Sequence, residues 1–154
     1  MTVLALNAFN STRATKAGKG VRATRTFEGY ACLALVTAQD GLCVTLGALR
    51  GAVPRFLSLG GPILEKHDGR AVGRVTGAHV DQHGLYVEAE IHEAVALAKI
   101  AGRIYCGWSI GFRFARSCDL VDGAIIGLDL DEVSICESPS CRGCLIRTSR
   151  RNQR

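Results

Sequence analysis

The sequence contains no uninterrupted apolar run long enough to cross a bilayer. Its first residues, MTVLALNAF, lack a leading positive region and a full apolar core, so they make a poor signal peptide. There is no internal repeat, and 154 residues leave little room for a second domain. Charged residues make up only 21% against 47% hydrophobic, which argues for a packed core and against global disorder. No histidine follows His92, and the C-x-x-C at Cys141 and Cys144 has no second pair to complete a zinc site. These absences point to a soluble, intracellular chain with no membrane contact.

Cysteine, by contrast, is plentiful: seven residues, an odd number. Without a secretory signal, reduced thiols are expected. Cys136, Cys141 and Cys144 cluster, but only the fold could bring Cys106, Cys118 or a histidine to them as a further ligand. A redox C-x-x-C would open a helix in a βαβ setting, and none is visible here. No cofactor or metal is expected.

The formal charge is +5, and the excess gathers at the ends. Arg13, Lys16, Lys19, Arg22 and Arg25 crowd the first segment, and Arg142, Arg147, Arg150, Arg151 and Arg154 the last. Such ends suit solvated tails, or contact with nucleic acid or an acidic partner. The chain divides into a basic mobile leader (1–25), a folded domain (26–138) and a Cys/Arg-rich tail (139–154).

Within the domain, period-2 patterns dominate. TFEGYACLALV (Thr26–Val36) reads as a strand, Gln39-Asp40-Gly41 as a turn, and LCVTLG as a second strand. GALRGAVPRFLSLGG carries Gly and Pro and suggests a loop with a helical turn. AVGRVTGAHV and LYVEAEI read as strands joined at Gln82–Gly84. HEAVALAKIAGR switches to helical spacing, with Val95, Leu97, Ala98 and Ile100 available for a buried face and Gly102 near its end. IYCGWSIGFRFA alternates Trp108, Ile110, Phe112 and Phe114 with Ser109, Gly111 and Arg113. AIIGLDLDEVSIC is a last strand whose apolar phase slips between Leu130 and Val133, as a bulge would cause. Short connections favour antiparallel pairing. The fold class is mainly β with helices (α+β), an antiparallel barrel or sandwich.

The chemistry-bearing motif is GWSIGF, a G-x-S-x-G centred on Ser109. An α/β-hydrolase elbow is a sharp strand-to-helix turn with its histidine downstream. Here the strand alternation runs on, and His67, His79, His83 and His92 all precede Ser109. A base for Ser109 must therefore come from upstream, on another architecture. His83 lies in a turn, His92 at a helix start and His79 mid-strand. His67 follows a short apolar segment and precedes a turn at Asp68-Gly69, so it sits at a strand end or loop mouth, where side chains often reach into clefts. Pattern alone leaves the histidine open, and leaves Ser109 open as a small residue on a strand between glycines.

Taken in order, FEGYA, PILEKHD…GRV, GLYVEAEI, WSIGF and DEVSI resemble the prohead (capsid-maturation) serine proteases of tailed phages. That family is related in fold to the herpesvirus assemblins, and the resemblance spans roughly Phe27 to Cys136. It implies an assemblin-like β-barrel flanked by helices, with Ser109 as nucleophile, His67 as base and an acid from the strand carrying EVS. Glu132 is expected in that role, with Asp129 and Asp131 as competitors. The resemblance further implies a serine endopeptidase that cleaves capsid or scaffold protein, and itself, inside a phage procapsid in a bacterial host cytoplasm. A homodimer is implied as well. The sequence departs from the family at Glu65-Lys66, where an aromatic is common, and at CESPSCRGCLIRT, where a Pro-Ala-Asn segment is usual. The competing expectations are a non-catalytic β-barrel module that binds a capsid partner or nucleic acid, and a small esterase using the same serine.

Overall fold

The computed structural model describes residues 24–38, 40–116 and 119–149. The proposed leader, except at its last two residues, lies outside them, as do Cys118, Arg150, Arg151 and Arg154. Two helices and ten strands are described. The strands are β1 (Arg25–Leu33), β2 (Cys43–Val44), β3 (Pro62–Glu65), β4 (Asp68–Val80), β5 (Gly84–Ile91), β6 (Gly107–Arg113), β7 (Leu120–Val121), β8 (Ala124–Ile125), β9 (Asp129–Cys136) and β10 (Arg147–Thr148). The helices are α1 (Leu46–Ser58) and α2 (Ala94–Ala101). The molecule is mainly β with helices, as the sequence implied.

The alternation read in LYVEAEI is present in full. Leu85, Val87, Ala89 and Ile91 are all completely buried in β5, while Tyr86, Glu88 and Glu90 are half-exposed. A seven-stranded sheet runs in the order β10-β1-β5-β4-β3-β9-β6, and a second, three-stranded sheet in the order β2-β8-β7. Most pairings are antiparallel, but β3 pairs with β9 and β2 with β8 in parallel. Short local connections hid this. The crossover from β3 to β9 is assembled from β4, β5, α2, β6, β7 and β8 together, so it has ample length.

The segment read as a loop with a helical turn is a 13-residue helix. Gly47, Gly51 and Pro54 made it look broken, because each disfavours a helix interior. Burial overrides them. Ala48, Leu49, Ala52 and Phe56 recur at helical spacing and pack into the core, with Leu49 and Phe56 wholly buried. Thr45 caps the helix by accepting the Ala48 N–H (3.2 Å). In α2 the helix is as expected but its buried face is not. Ala96 is the buried residue, Leu97 and Ile100 are half-buried, and Val95 faces outward at 57% exposure. Glu93 caps α2 through its carboxylate to the Ala96 N–H (2.7 Å).

The segment after residue 138 contributes β10 to the seven-stranded sheet. The Trp108 N–H of β6 donates to Cys144 O (2.8 Å), and the Ile146 N–H donates to Cys106 O (2.9 Å). Directly afterwards, Arg147 and Thr148 pair with Glu28 and Phe27 of β1. Residues 144–149 thus tie one end of the curled sheet to the other and cover Trp108, which is 0% exposed. Gly29 makes this approach possible. A side chain there would run into Leu145 O and the Trp108 indole, and its φ of 153° is itself unfavourable for an L-residue.

Gly29→Ala should therefore part the closure at Trp108. The expected cost is about 1–3 kcal/mol, the usual range for overpacking. Urea titration followed by Trp108 fluorescence checks this, and wild-type stability in the variant would refute it.

Candidate active site

The site is assembled from one turn and two strands far apart in sequence. His67 occupies the two-residue turn between β3 and β4, where Glu65 pairs with Asp68. Lys66 and His67 both take positive φ, 51° and 63°. This is the backbone signature of a tight hairpin of type I′, in which Asn and Gly are the usual residues. The Asp68-Gly69 dipeptide, read as the turn from sequence, instead opens β4. A left-handed non-glycine residue costs on the order of 1–3 kcal/mol and persists only where its surroundings hold it.

Several contacts hold this hairpin. The Lys66 N–H donates to Ile135 O (3.0 Å), which extends the parallel ladder with β9. The His67 N–H donates to Ser134 Oγ (2.9 Å). Lys66 Nζ reaches Glu137 at 2.6 Å. At the foot of the turn, Lys99 of α2 bonds Glu65 (2.9 Å) and the Tyr105 hydroxyl (3.1 Å). The Lys99 hydrogen bond holds the Glu65 carboxyl below its ordinary range, and the same pairing raises Lys99. The Glu65-Lys66 pair, a departure from the phage pattern, is thus a brace for the histidine turn.

Ser109 sits mid-strand in β6, opposite Ser134 of β9, and is 7% exposed. Glu132 lies opposite Gly111 and is 8% exposed. The bulge inferred from the slipped phase falls at Asp131, because Gly111 pairs with Glu132 and Phe112 with Leu130. It lets Leu130 and Glu132 share faces with Phe112 and Gly111 respectively, which a regular strand would forbid.

The three side chains meet. Ser109 Oγ lies 3.0 Å from His67 Nε2, and Glu132 Oε1 lies 2.5 Å from His67 Nδ1. The carboxylate can only accept, so Nδ1 carries the proton and Nε2 presents its lone pair to the Ser109 hydroxyl. Asp129 and Asp131, the competing acids, pair instead with Arg55 and Arg113, Asp129 at 3.8 and 3.6 Å and Asp131 with Arg113 at 3.2 Å. His79 and His83 lie beside Tyr86 and Tyr30, and the His92 N–H bonds Val72 O.

The G-x-S-x-G spacing now has a steric explanation. A side chain at Gly111 would collide with the Glu132 carboxylate, and one at Gly107 with the Pro139 ring. Both glycines are places where a neighbour lies flat on the strand, and neither forms a nucleophile elbow. Next to Ser109 and His67 opens a cleft of about 130 Å³, with walls that include Leu33, Val36, Leu42, Val44 and Phe112.

Two of the cysteines, Cys32 and Cys141, line the cleft. Six are unpaired among the described residues. Burial pushes the thiols of Cys32 and Cys144 up to about 12 and that of Cys136 to about 11, so they stay protonated and weakly nucleophilic near neutrality. Among the described residues no group of three or more His, Cys, Asp or Glu could hold a metal ion. Sequence reading missed the buried hydroxyl of Ser134. The signal was there: positions 132 and 134 of one strand share a face.

No family model matches the chain, and no curated protein is similar to it in sequence. Solved structures are similar. The protease of Kaposi's sarcoma-associated herpesvirus, in complex with a hexapeptide phosphonate inhibitor, superposes at TM-score 0.54 and 13% identity, over 82% of this chain and 65% of that one. The varicella-zoster virus protease superposes at TM-score 0.57 and 14% identity, over 81% of this chain and 64% of that one. The chain therefore spans just under two-thirds the length of these proteases. The fold is assemblin-like.

Gly111→Ala should displace the Glu132 carboxylate and release His67. Proton NMR should show loss of the low-field His67 Nδ1–H signal. Gly51→Ala, where an added Cβ meets nothing within 4 Å, should keep it.

Proposed function

We propose that this chain is a serine endopeptidase of the phage prohead-maturation type, which cleaves capsid or scaffold protein, and itself, inside the procapsid. The observation that carries the reading is the continuous hydrogen-bonded line from Ser109 through His67 to Glu132. The assemblin-like fold and the ordered phage-type motifs support it. So does the position of Ser109 at the cleft wall, where a peptide carbonyl has access.

The steps follow from the geometry. As Ser109 Oγ attacks the scissile carbonyl, its proton passes to His67 Nε2. Glu132 holds the imidazole in the required tautomer and stabilises the imidazolium that forms. The imidazolium returns its proton to the leaving amine, and the C–N bond breaks. Water, deprotonated by the same Nε2, then attacks the acyl-enzyme and frees Ser109. The capsid or scaffold substrate, a homodimeric state and a site of action within a bacterial host are parts of this proposal.

Covalent labelling by a fluorophosphonate tests it. Intact mass should show one adduct on wild type and none on Ser109→Ala. His67→Ala should lose labelling. Glu132→Gln, with the carboxylate neutralised, should slow it by about 100-fold or more, since loss of the orienting acid costs up to about 10⁴ in kcat in the best-known triad. An adduct that survives Ser109→Ala would sink the assignment. No adduct on folded wild type would favour a non-catalytic module.

The apolar cleft walls favour peptides with an uncharged apolar side chain beside the scissile bond. Leu42→Glu should lower kcat/KM for such peptides by about 10-fold or more, while fluorophosphonate labelling of Ser109 continues. A charged residue preferred at that position in a peptide library would refute the assignment of the cleft.

A further inference from the structure

We propose that Ser134 is a positioning residue of this site, setting the mutual placement of His67 and Glu132 through a single hydroxyl. The inference deepens the protease reading and rests on it for its kinetic consequences.

Ser134 Oγ is hydrogen-bonded both to the main chain of His67 and to the carboxylate that holds its ring. It accepts the backbone N–H of His67 (2.9 Å) and donates its own proton to Glu132 Oε2 (2.7 Å). Its remaining capacity is small, since a hydroxyl has one proton and two lone pairs. The residue is 0% exposed, so bulk water cannot take over either bond.

Each bond answers a particular instability. The parallel ladder between β3 and β9 ends with the Lys66 N–H on Ile135 O. At His67 the chain has turned into the left-handed region, and its N–H finds a side chain in place of a main-chain carbonyl. Without Ser134 this amide would lose its acceptor at the residue whose ring must be held most exactly in place. The second bond fixes the carboxylate. Glu132 Oε1 is committed to Nδ1, but rotation about the last side-chain torsion of a glutamate is broad. Donation to Oε2 pins that rotation, and a charge-assisted bond of this kind is stronger than a neutral one. A change at Ser134 therefore moves both ends of the His67–Glu132 contact together.

The test compares Ser134→Ala and Ser134→Thr, alone and with Glu132→Gln, in the full chain. Kinetics on a peptide substrate and fluorophosphonate inactivation are read beside the low-field Nδ1–H proton of His67. Ser134→Ala should fold, lower kcat by 10- to 100-fold, change KM less than twofold and lose or broaden the low-field proton. Ser134→Thr, which keeps the hydroxyl, should recover to within about fivefold of wild type. In the Glu132→Gln background, Ser134→Ala should cost less than threefold, because both changes act through one contact. Should Ser134→Ala fail to fold, Ser134→Cys keeps the shape with a poor donor and carries the same comparison. Unchanged kcat and an unchanged low-field proton in Ser134→Ala would overturn the proposal. Equal losses in both backgrounds would overturn it too, since a general loosening gives that result. If wild type never labels yet its low-field proton disappears in Ser134→Ala, the protease reading fails and the positioning role stands.

Discussion

The tight hairpin at Lys66 and His67 is the constraint around which the site is organised. Two consecutive non-glycine residues in the left-handed region are unfavourable on their own. They survive because three separate elements press on the turn: β9 from alongside, α2 through Lys99 beneath Glu65, and the Lys66–Glu137 pair at the rim. The reward is direction. A two-residue turn leaves the histidine backbone little freedom, so the direction of its Cα–Cβ bond is set by the turn and the ring is then fixed by its hydrogen bonds. Rigid placement of this kind is what the proposed acid–base role of His67 would require.

A second layer of support comes from the far side of the sheet. Trp108 is adjacent to Ser109 on β6 but faces the opposite way, into the core. Residues 144–149 lie across it and tie β6 to β1. The strand that presents Ser109 is therefore anchored by β9 on one edge and by this late segment near its start. Packing of a large buried ring and orientation of a small polar side chain are two faces of one strand, set by the same register.

Much of this was legible in the sequence because period-2 alternation survives in β5, where one face is buried and the other half-exposed, and because β6 keeps the same alternation of residue types although both its faces are covered at Trp108 and Ser109. The slipped phase at Asp131 was legible for the same reason. The serine, histidine and glutamate were reached by a resemblance, and the geometry brings those three side chains together. The rest was hidden by physics that acts at a distance. Helix α1 carries breakers whose local penalty is outweighed by the burial of Leu49 and Phe56. The parallel β3–β9 pair joins Ile63 to Val133, and no local window contains both. In the last segment, Cys141 and Cys144 suggested chemistry of their own, yet the main chain at Cys144 and Leu145 is used as a strand-like strap.

The spacing of the three side chains along the chain has a consequence in time. Ser109 stands 42 residues from His67, and Glu132 stands 65 from it. β9, which supplies Glu132 and the floor beneath the histidine turn, is also the partner that gives β6 its inner edge. Contacts of such long range form late, because the entropy of closing the intervening chain must first be overcome. A growing polypeptide that has not yet delivered β9 holds the serine and the histidine but has nothing to orient them. The meeting of the three side chains is thus written into strand order, and it is complete only once β9 is in place.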